Sequence, residues 1–219
     1  MARDEPARRR LSRAESKART RELLLDAAAR TFARKGFAGA SVEEIAEAAG
    51  FSIGALYSNF GGKEQLFLEL LSARASGRLR EAAQILEDPA VADPLGALSA
   101  QLVEVADKDV DFALLQAEFW LYAVRNPRLM DTLAEQQHDV QGALKDLVDR
   151  EMRRRGHRIG VPGEHVAVVA LALFQGLVRQ RRVDPGSVPD GLYGQALRWL
   201  FAGLAAEAGS PEPDGEESR

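Results

Sequence analysis

The 219-residue sequence contains no cysteine. This absence excludes a disulfide framework, zinc ligation by thiolates and a cysteine nucleophile. No apolar run reaches the roughly 18 residues that a membrane span requires, and the charged N-terminus lacks the apolar segment of a secretory signal. We therefore expect a cytoplasmic protein without a membrane segment.

Residues suited to catalysis or metal binding are also scarce. The three histidines, His138, His157 and His165, lack the spacing of metal ligands. The sequence has no GxSxG, phosphate-binding P-loop or GxGxxG motif. These absences predict a protein that is not an enzyme and holds no metal or cofactor.

Charge is distributed unevenly along the chain. The formal net charge is −4, but residues 1–35 carry eleven Arg and Lys against five Asp and Glu, a local +6 that leaves −10 for the rest. A basic N-terminal segment followed by an acidic remainder predicts a polyanionic partner near the N-terminus. For residues 1–10, a solvated disordered tail without any partner is an equally good interpretation.

The most informative stretch is residues 41–63. Ser41 is a good N-cap, Glu44 three residues later predicts a capping box, and Gly50 ends the helix. Ser52 can then cap a second, shorter helix. Apolar residues recur at helical spacing at Val42, Ile45, Ala46 and Ala49, and then at Leu56 and Phe60. Two short helices joined by a glycine-containing turn predict a helix-turn-helix, whose second helix enters a DNA groove.

Helical periodicity continues through the rest of the chain, which predicts an all-α fold of about nine helices. The other predicted helices cover residues 16–35, 63–86, 95–106, 112–125, 127–155, 164–181 and 191–208. Residues 166–178 are apolar nearly all round, although they are too few to cross a bilayer. A helix of this kind must be covered on every side.

Residues from about 19 to 79 resemble the N-terminal DNA-binding domain of the TetR family of bacterial transcriptional regulators. The matching residues are Ala27, Phe32, Gly36, Phe37, Ile45, Ala46, Ala49, Gly50, Ser52, Gly54, Leu56, Tyr57, Phe60, Lys63, Glu64 and Leu66. The resemblance implies a three-helix helix-turn-helix domain (16–80, motif about 41–60) and a helical ligand-binding and dimerisation domain (81–208). Composition predicts a disordered basic arm before them (1–15) and a disordered acidic tail after them (209–219).

The DNA-contacting residues follow partly from chemistry and partly from this resemblance. Helix N-termini at Ser41 and Ser52 can bind phosphate, although pure capping would also explain both serines. The resemblance implies backbone contacts by Tyr57 and Lys63, with partial burial as the alternative for the tyrosine. It also places Ile53, Gly54 and Ala55 in the groove, with Ser58 and Asn59 near the backbone.

The predicted recognition helix has no Arg, Lys, Gln or Glu between Ser52 and Phe60. Ile53 and Ala55 can contact a thymine methyl but cannot bond a guanine edge. Gly54 would allow close approach to the groove floor, at a cost in helix propensity. We expect discrimination by methyl contacts, by DNA shape and by arginines of the N-terminal arm in the minor groove.

The resemblance further implies a homodimer built from the last two long helices, with an ordinary monomeric core as the alternative. The expected interface residues are Val169, Leu173, Gly176, Leu177, Leu192, Ala196, Trp199, Leu200 and Gly203. Two recognition helices one turn of DNA apart would then read a palindromic operator.

The resemblance also implies a small hydrophobic or amphipathic effector that binds the C-terminal domain and releases DNA. Candidate lining residues are Gln116, Phe119, Trp120, Tyr122, His138, Gln141, Phe174 and Gln175, because aromatic walls with a few polar groups typify ligand sites. Core packing is the competing interpretation for the aromatic residues. The resemblance thus implies an effector-released repressor. The alternative is a DNA-binding regulator without a small-molecule ligand, which a partner protein controls or which acts constitutively.

Overall fold

The computed structural model describes residues 12–108, 110–154 and 160–208, with only the backbone at 110–112, 207 and 208. Over these ranges the chain is all-α and has nine helices, which confirms the predicted fold class. They are α1 Arg13–Gly39, α2 Val42–Ala49, α3 Ile53–Phe60, α4 Lys63–Glu87, α5 Pro94–Lys108, α6 Val110–Val124, α7 Pro127–Arg154, α8 Gly163–Val183 and α9 Leu192–Ala208. One 3₁₀ turn lies at Pro185–Ser187.

Helix α1 begins earlier than the sequence reading predicts and is broken near its end. Ser12 is its N-cap, and the Ser12 and Glu15 side chains form a reciprocal capping box. Gly36, which directly follows the predicted helix end at residue 35, has φ +73°, a left-handed conformation that favours glycine. The chain makes one further turn to Gly39, so the helix is kinked at Gly36 rather than ended there.

The described residues up to Leu71 form one compact unit together with Leu114–Leu121 of α6. It contains a cluster of four buried phenylalanine rings from α1, α4 and α6, with the centroids of contacting rings 4.6–5.9 Å apart, namely Phe32, Phe37, Phe67 and Phe119. Buried aromatic pairs of this kind contribute about 0.5–1.5 kcal/mol each beyond the area they bury. The cluster makes part of α6 a structural component of the unit that carries α2 and α3.

The remaining described residues form a second unit. Leucine, alanine and valine side chains of α4, α5, α7, α8 and α9 make its core, together with the ring of Tyr193. Arg181 is buried and binds both oxygens of Asp107 at 3.0 and 3.1 Å. It also donates to Asp190 at 2.7 Å, so one guanidinium joins α5, α8 and the turn before α9.

Most predicted helix bounds differ from the observed ones by only a few residues. Residues 107, 108, 110 and 111, predicted to lie between two helices, are helical, since α5 continues to Lys108 and α6 begins at Val110. The predicted tail and residues 155–159, which include His157, lie outside the described residues. The predicted arm also lies outside them, except for residues 12–15.

Candidate nucleic-acid interface

The caps predicted for the helix-turn-helix are present. The Ser41 and Ser52 hydroxyls accept hydrogen bonds from the N–H groups of Glu44 and Ala55, both at 3.2 Å. Gly50 is the left-handed C-cap of α2, with φ +76°. The reciprocal half of the predicted capping box is not seen, because the Glu44 carboxylate binds Lys35 instead. This hydrogen bond holds the pKa of the Glu44 carboxyl below its ordinary value.

Helix α3 has one buried face and one exposed face. Leu56 and Phe60 are almost fully buried and anchor the helix, whereas Ile53 is 42% exposed and Tyr57 is 51% exposed. Ser52, Gly54 and Ser58 are also exposed, and Ala55 and Asn59 are partly buried. A helix anchored on one side leaves its other side available to a partner, and that side carries most of the predicted DNA-contacting residues.

Polar side chains near the end of α3 are bonded to its own backbone. Ser58 donates to the Ala55 carbonyl at 2.9 Å, and the Asn59 amide donates to the same carbonyl at 2.7 Å. Ser58 keeps its hydroxyl oxygen as an acceptor, while Asn59 is partly buried. Of the two, Ser58 is therefore the more accessible to a DNA backbone.

Lys63 is engaged by the protein itself. Its ammonium donates to the carbonyls of Phe37 at 2.9 Å and Ala40 at 3.1 Å, and lies 4.6 Å from the Phe37 ring centroid. An ammonium has three N–H donors. These two bonds leave one donor for the phosphate contact that the resemblance implies, so Lys63 is structural as well as a candidate DNA ligand.

Arg21 positions the C-terminal end of α3, which the sequence reading missed. Its guanidinium donates to the Asn59 carbonyl, pairs with the Glu69 carboxylate and lies 4.4 Å from the Phe60 ring centroid. It therefore links α1, α3 and α4. One arginine among the many in this basic region gives no local signal of such a role.

The basic N-terminal segment, residues 1–35, has exposed cationic side chains where the structure describes it. Arginine and lysine residues along α1 carry exposed side chains, namely Arg13, Lys17, Arg19, Arg30 and Arg34. Phosphate groups attract such side chains without sequence preference.

The predicted dimer residues lie on α8 and α9 and differ in exposure. Trp199 is 61% exposed and Val169 is 43% exposed. Gly176 and Gly203 are exposed, and a Cβ at either would meet no other atom within 4 Å. The other members of the set are partly buried, namely Leu173, Leu177, Leu192, Ala196 and Leu200.

The predicted effector-lining residues have several different surroundings. Phe119 differs most from the expectation, because it is 1% exposed and packs on Phe37 and Phe67 in the first unit. Phe174 packs edge-on against Tyr193 at 5.5 Å. The remaining residues are exposed or partly buried, with Gln116, Trp120, Tyr122, His138 and Gln175 exposed and Gln141 partly buried.

One open depression of about 480 Å³ lies in the second unit, along the C-terminal half of α8 and the following turn. Its lining consists of Gly176, Arg179, Gln180, Val183, Asp184 and Ser187, none of which was predicted as a ligand contact. In the described part of the chain, no three His, Asp or Glu residues come together as a metal site. No helix there combines the length and apolarity that a bilayer crossing requires.

Two family models match the chain. The model of bacterial regulatory proteins of the tetR family matches residues 24–70, which include α2 and α3. The model of the BetI-type transcriptional repressor C-terminal domain matches residues 91–207, more than half of the chain. The helix-turn-helix therefore belongs to a DNA-binding transcriptional regulator. The chain is a member of the TetR family with a C-terminal domain of the BetI type.

Individual proteins and solved structures are similar to the chain over most of its length. The transcriptional regulator TtgR of Pseudomonas putida is 29% identical over 195 residues, covering 84% of this chain and 90% of TtgR. A putative TetR-family regulator from Mesorhizobium loti has the same fold, with a TM-score of 0.64, 20% identity and coverage of 90% and 98%. The multidrug-binding protein EbrR, solved with proflavin, gives a TM-score of 0.55, 24% identity and coverage of 83% and 99%.

Proposed function

We propose that the protein is a homodimeric repressor that binds a palindromic operator and releases it when a small hydrophobic or amphipathic effector binds. The observation that carries the DNA-binding part is the two-sided α3, which Leu56 and Phe60 anchor while Ile53, Gly54 and Tyr57 stay exposed. This exposed side holds no charged group. Sequence discrimination would therefore rely on methyl contacts and DNA shape, and phosphate contacts would supply much of the affinity.

The proposed dimer rests on the uncovered apolar surface of the last two helices. Trp199 and Val169 are large apolar side chains exposed in the single chain, on helices that also contribute to its core. Gly176 and Gly203 would allow a second backbone to approach closely. A recognition helix of only eight residues buries little surface alone, so two copies are needed for specific affinity.

A substitution in the interface tests this arrangement. Trp199→Glu would place a charge at the centre of the proposed contact, and we expect a monomer that has lost specific operator affinity. Ala134→Glu, on the exposed side of α7 and outside the proposed interface, is the matched control and should remain dimeric. Sedimentation of each protein alone and with DNA measures both properties. A dimeric Trp199→Glu variant with wild-type affinity would contradict the proposal.

The effector is proposed from the family and from the exposed aromatic and polar side chains of α6 and α8. Helix α4 runs from Lys63 beside the helix-turn-helix into the second unit, so it provides a continuous element through which ligand binding could act. Because EbrR was solved with proflavin, this fluorescent aromatic cation is a suitable first probe. If it is an effector, linkage requires proflavin and DNA to weaken each other by the same factor. A regulator without any small-molecule ligand would show no such reciprocity with any compound.

A further inference from the structure

Helix α6 supplies a carboxylate to the segment that leads into the helix-turn-helix. We call residues 36–40 the connector; they run from the kink in α1 at Gly36 to the residue before the Ser41 cap. Glu118 accepts hydrogen bonds from the Phe37 N–H at 2.8 Å and from the Ala38 N–H at 2.8 Å, one on each carboxylate oxygen. Bonds from backbone amides to an ionised carboxylate are about twice as strong as neutral ones.

The kink and the carboxylate depend on each other. A Cβ at Gly36 would lie only 2.7 Å from Glu118 Oε2, so the carboxylate occupies space that a side chain at position 36 would take. The left-handed φ of Gly36 points the next two N–H groups at this carboxylate. Glycine at position 36 thus allows both the positive φ and the close approach of the Glu118 carboxylate.

The carbonyl groups of the connector are bound by a cation. Lys63 of α4 donates to the carbonyls of Phe37 and Ala40, while Glu118 takes the N–H groups. Phe119, beside Glu118 in sequence, packs edge-on against the Phe37 ring at 4.9 Å. Ala40 directly precedes Ser41, which caps α2. The place where α2 begins therefore depends on groups from α6 and α4.

We propose that Glu118 is a positioning residue for DNA binding, whose carboxylate holds the connector in the arrangement that presents α2 and α3 to DNA. The inference rests on the proposed function and names a group of α6 on which operator affinity depends. Gln116 and Trp120 of the same helix are exposed candidates for effector contact. A shift of α6 on effector binding would withdraw the carboxylate, free the connector and weaken DNA binding.

The test compares Glu118→Gln with wild type in the full chain. Glutamine keeps the size but replaces one acceptor oxygen by an N–H₂ donor, so at least one bond to the connector is lost. We expect operator affinity to fall about tenfold, because a loosened connector must be ordered again on DNA. The probe is a DNA duplex enriched from a random library by the wild-type protein. Ala117→Gln, which adds the same side chain one residue away at an exposed position, should bind as wild type.

Amide hydrogen exchange at Phe37 and Ala38, together with the melting temperature, separates positioning from general stability. We expect faster exchange at these two amides in Glu118→Gln while cooperative unfolding is retained. Wild-type operator affinity despite faster exchange, unchanged exchange, or an equal loss of affinity in Ala117→Gln would each overturn the inference. If Glu118→Gln does not fold, Glu118→Asp, which keeps the charge on a shorter side chain, is judged by the same criteria. A wild-type protein that enriches no DNA would instead overturn the proposed function, and this inference with it.

Discussion

Replacing Gly54 by alanine should stabilise the fold and weaken DNA binding at the same time. A Cβ at this position would meet only the Ser52 hydroxyl, at 3.8 Å, which is an ordinary contact. The fold therefore does not require glycine here, and alanine should add about 0.5–1 kcal/mol through helix propensity. At the groove floor, however, the added methyl would overpack the contact at a cost of about 1–3 kcal/mol per recognition helix.

For a dimer, the overpacking cost at the groove floor corresponds to a loss of about 30-fold or more in operator affinity. Thermal unfolding measures the gain in stability, and fluorescence anisotropy with the enriched DNA duplex measures the loss of operator affinity. Gly142→Ala is the matched control, because Gly142 lies exposed in α7 and its Cβ would meet nothing within 4 Å. It should show the same stabilisation with unchanged affinity. If Gly54→Ala is stabilised and binds DNA as wild type does, α3 does not approach the groove as we describe.

Three further substitutions test separate parts of the structure. The preference for operator DNA with thymine over the same DNA with uracil, which lacks the methyl group, measures methyl contacts. Ile53→Ala should reduce this preference by about 1 kcal/mol per recognition helix. An equal preference in wild type and variant would refute methyl readout. Arg21→Ala should lower the unfolding free energy by about 1–2 kcal/mol in urea titrations, because the Asn59 carbonyl loses its charged donor; an unchanged midpoint would contradict this. Burial raises the pKa of Tyr193 to about 12. Since the unfolded phenol releases its proton near pH 10, the folded state should lose up to about 3 kcal/mol as pH rises from 10 to 12. Tyr193→Phe should abolish that loss, and an identical pH dependence in the variant would refute the assignment.

The helix-turn-helix could be predicted from sequence because its signals are local. Ser41 and Ser52 occur where a cap is needed, and Gly50 where a left-handed residue is needed. Leu56 and Phe60, one turn apart, mark the anchored face of α3. Each of these signals lies within four residues of what it determines, so no tertiary information is required.

The connector and the surroundings of α6 could not be predicted in this way. Glu118 meets its partners about 80 residues away, and an isolated glutamate in an apolar helix carries no sign of such a contact. Phe119 fits a ligand wall and a core equally well by sequence, and only the packing of Phe37 and Phe67 decides between them. Glu44 has the spacing of a capping box, but the neighbouring Lys35 ammonium takes its carboxylate instead.

In the proposed function, residues 41–63 read a specific DNA sequence as one half of a symmetric pair. Selection from a random duplex library with the purified full-length protein, followed by sequencing of the bound fraction, tests it most directly. A symmetric pair of recognition helices should enrich a palindrome whose half-sites lie one helical turn apart, with thymines at the positions that Ile53 and Ala55 would contact. Recovery of unselected DNA at physiological salt, or of a single asymmetric site bound by one chain, would contradict it.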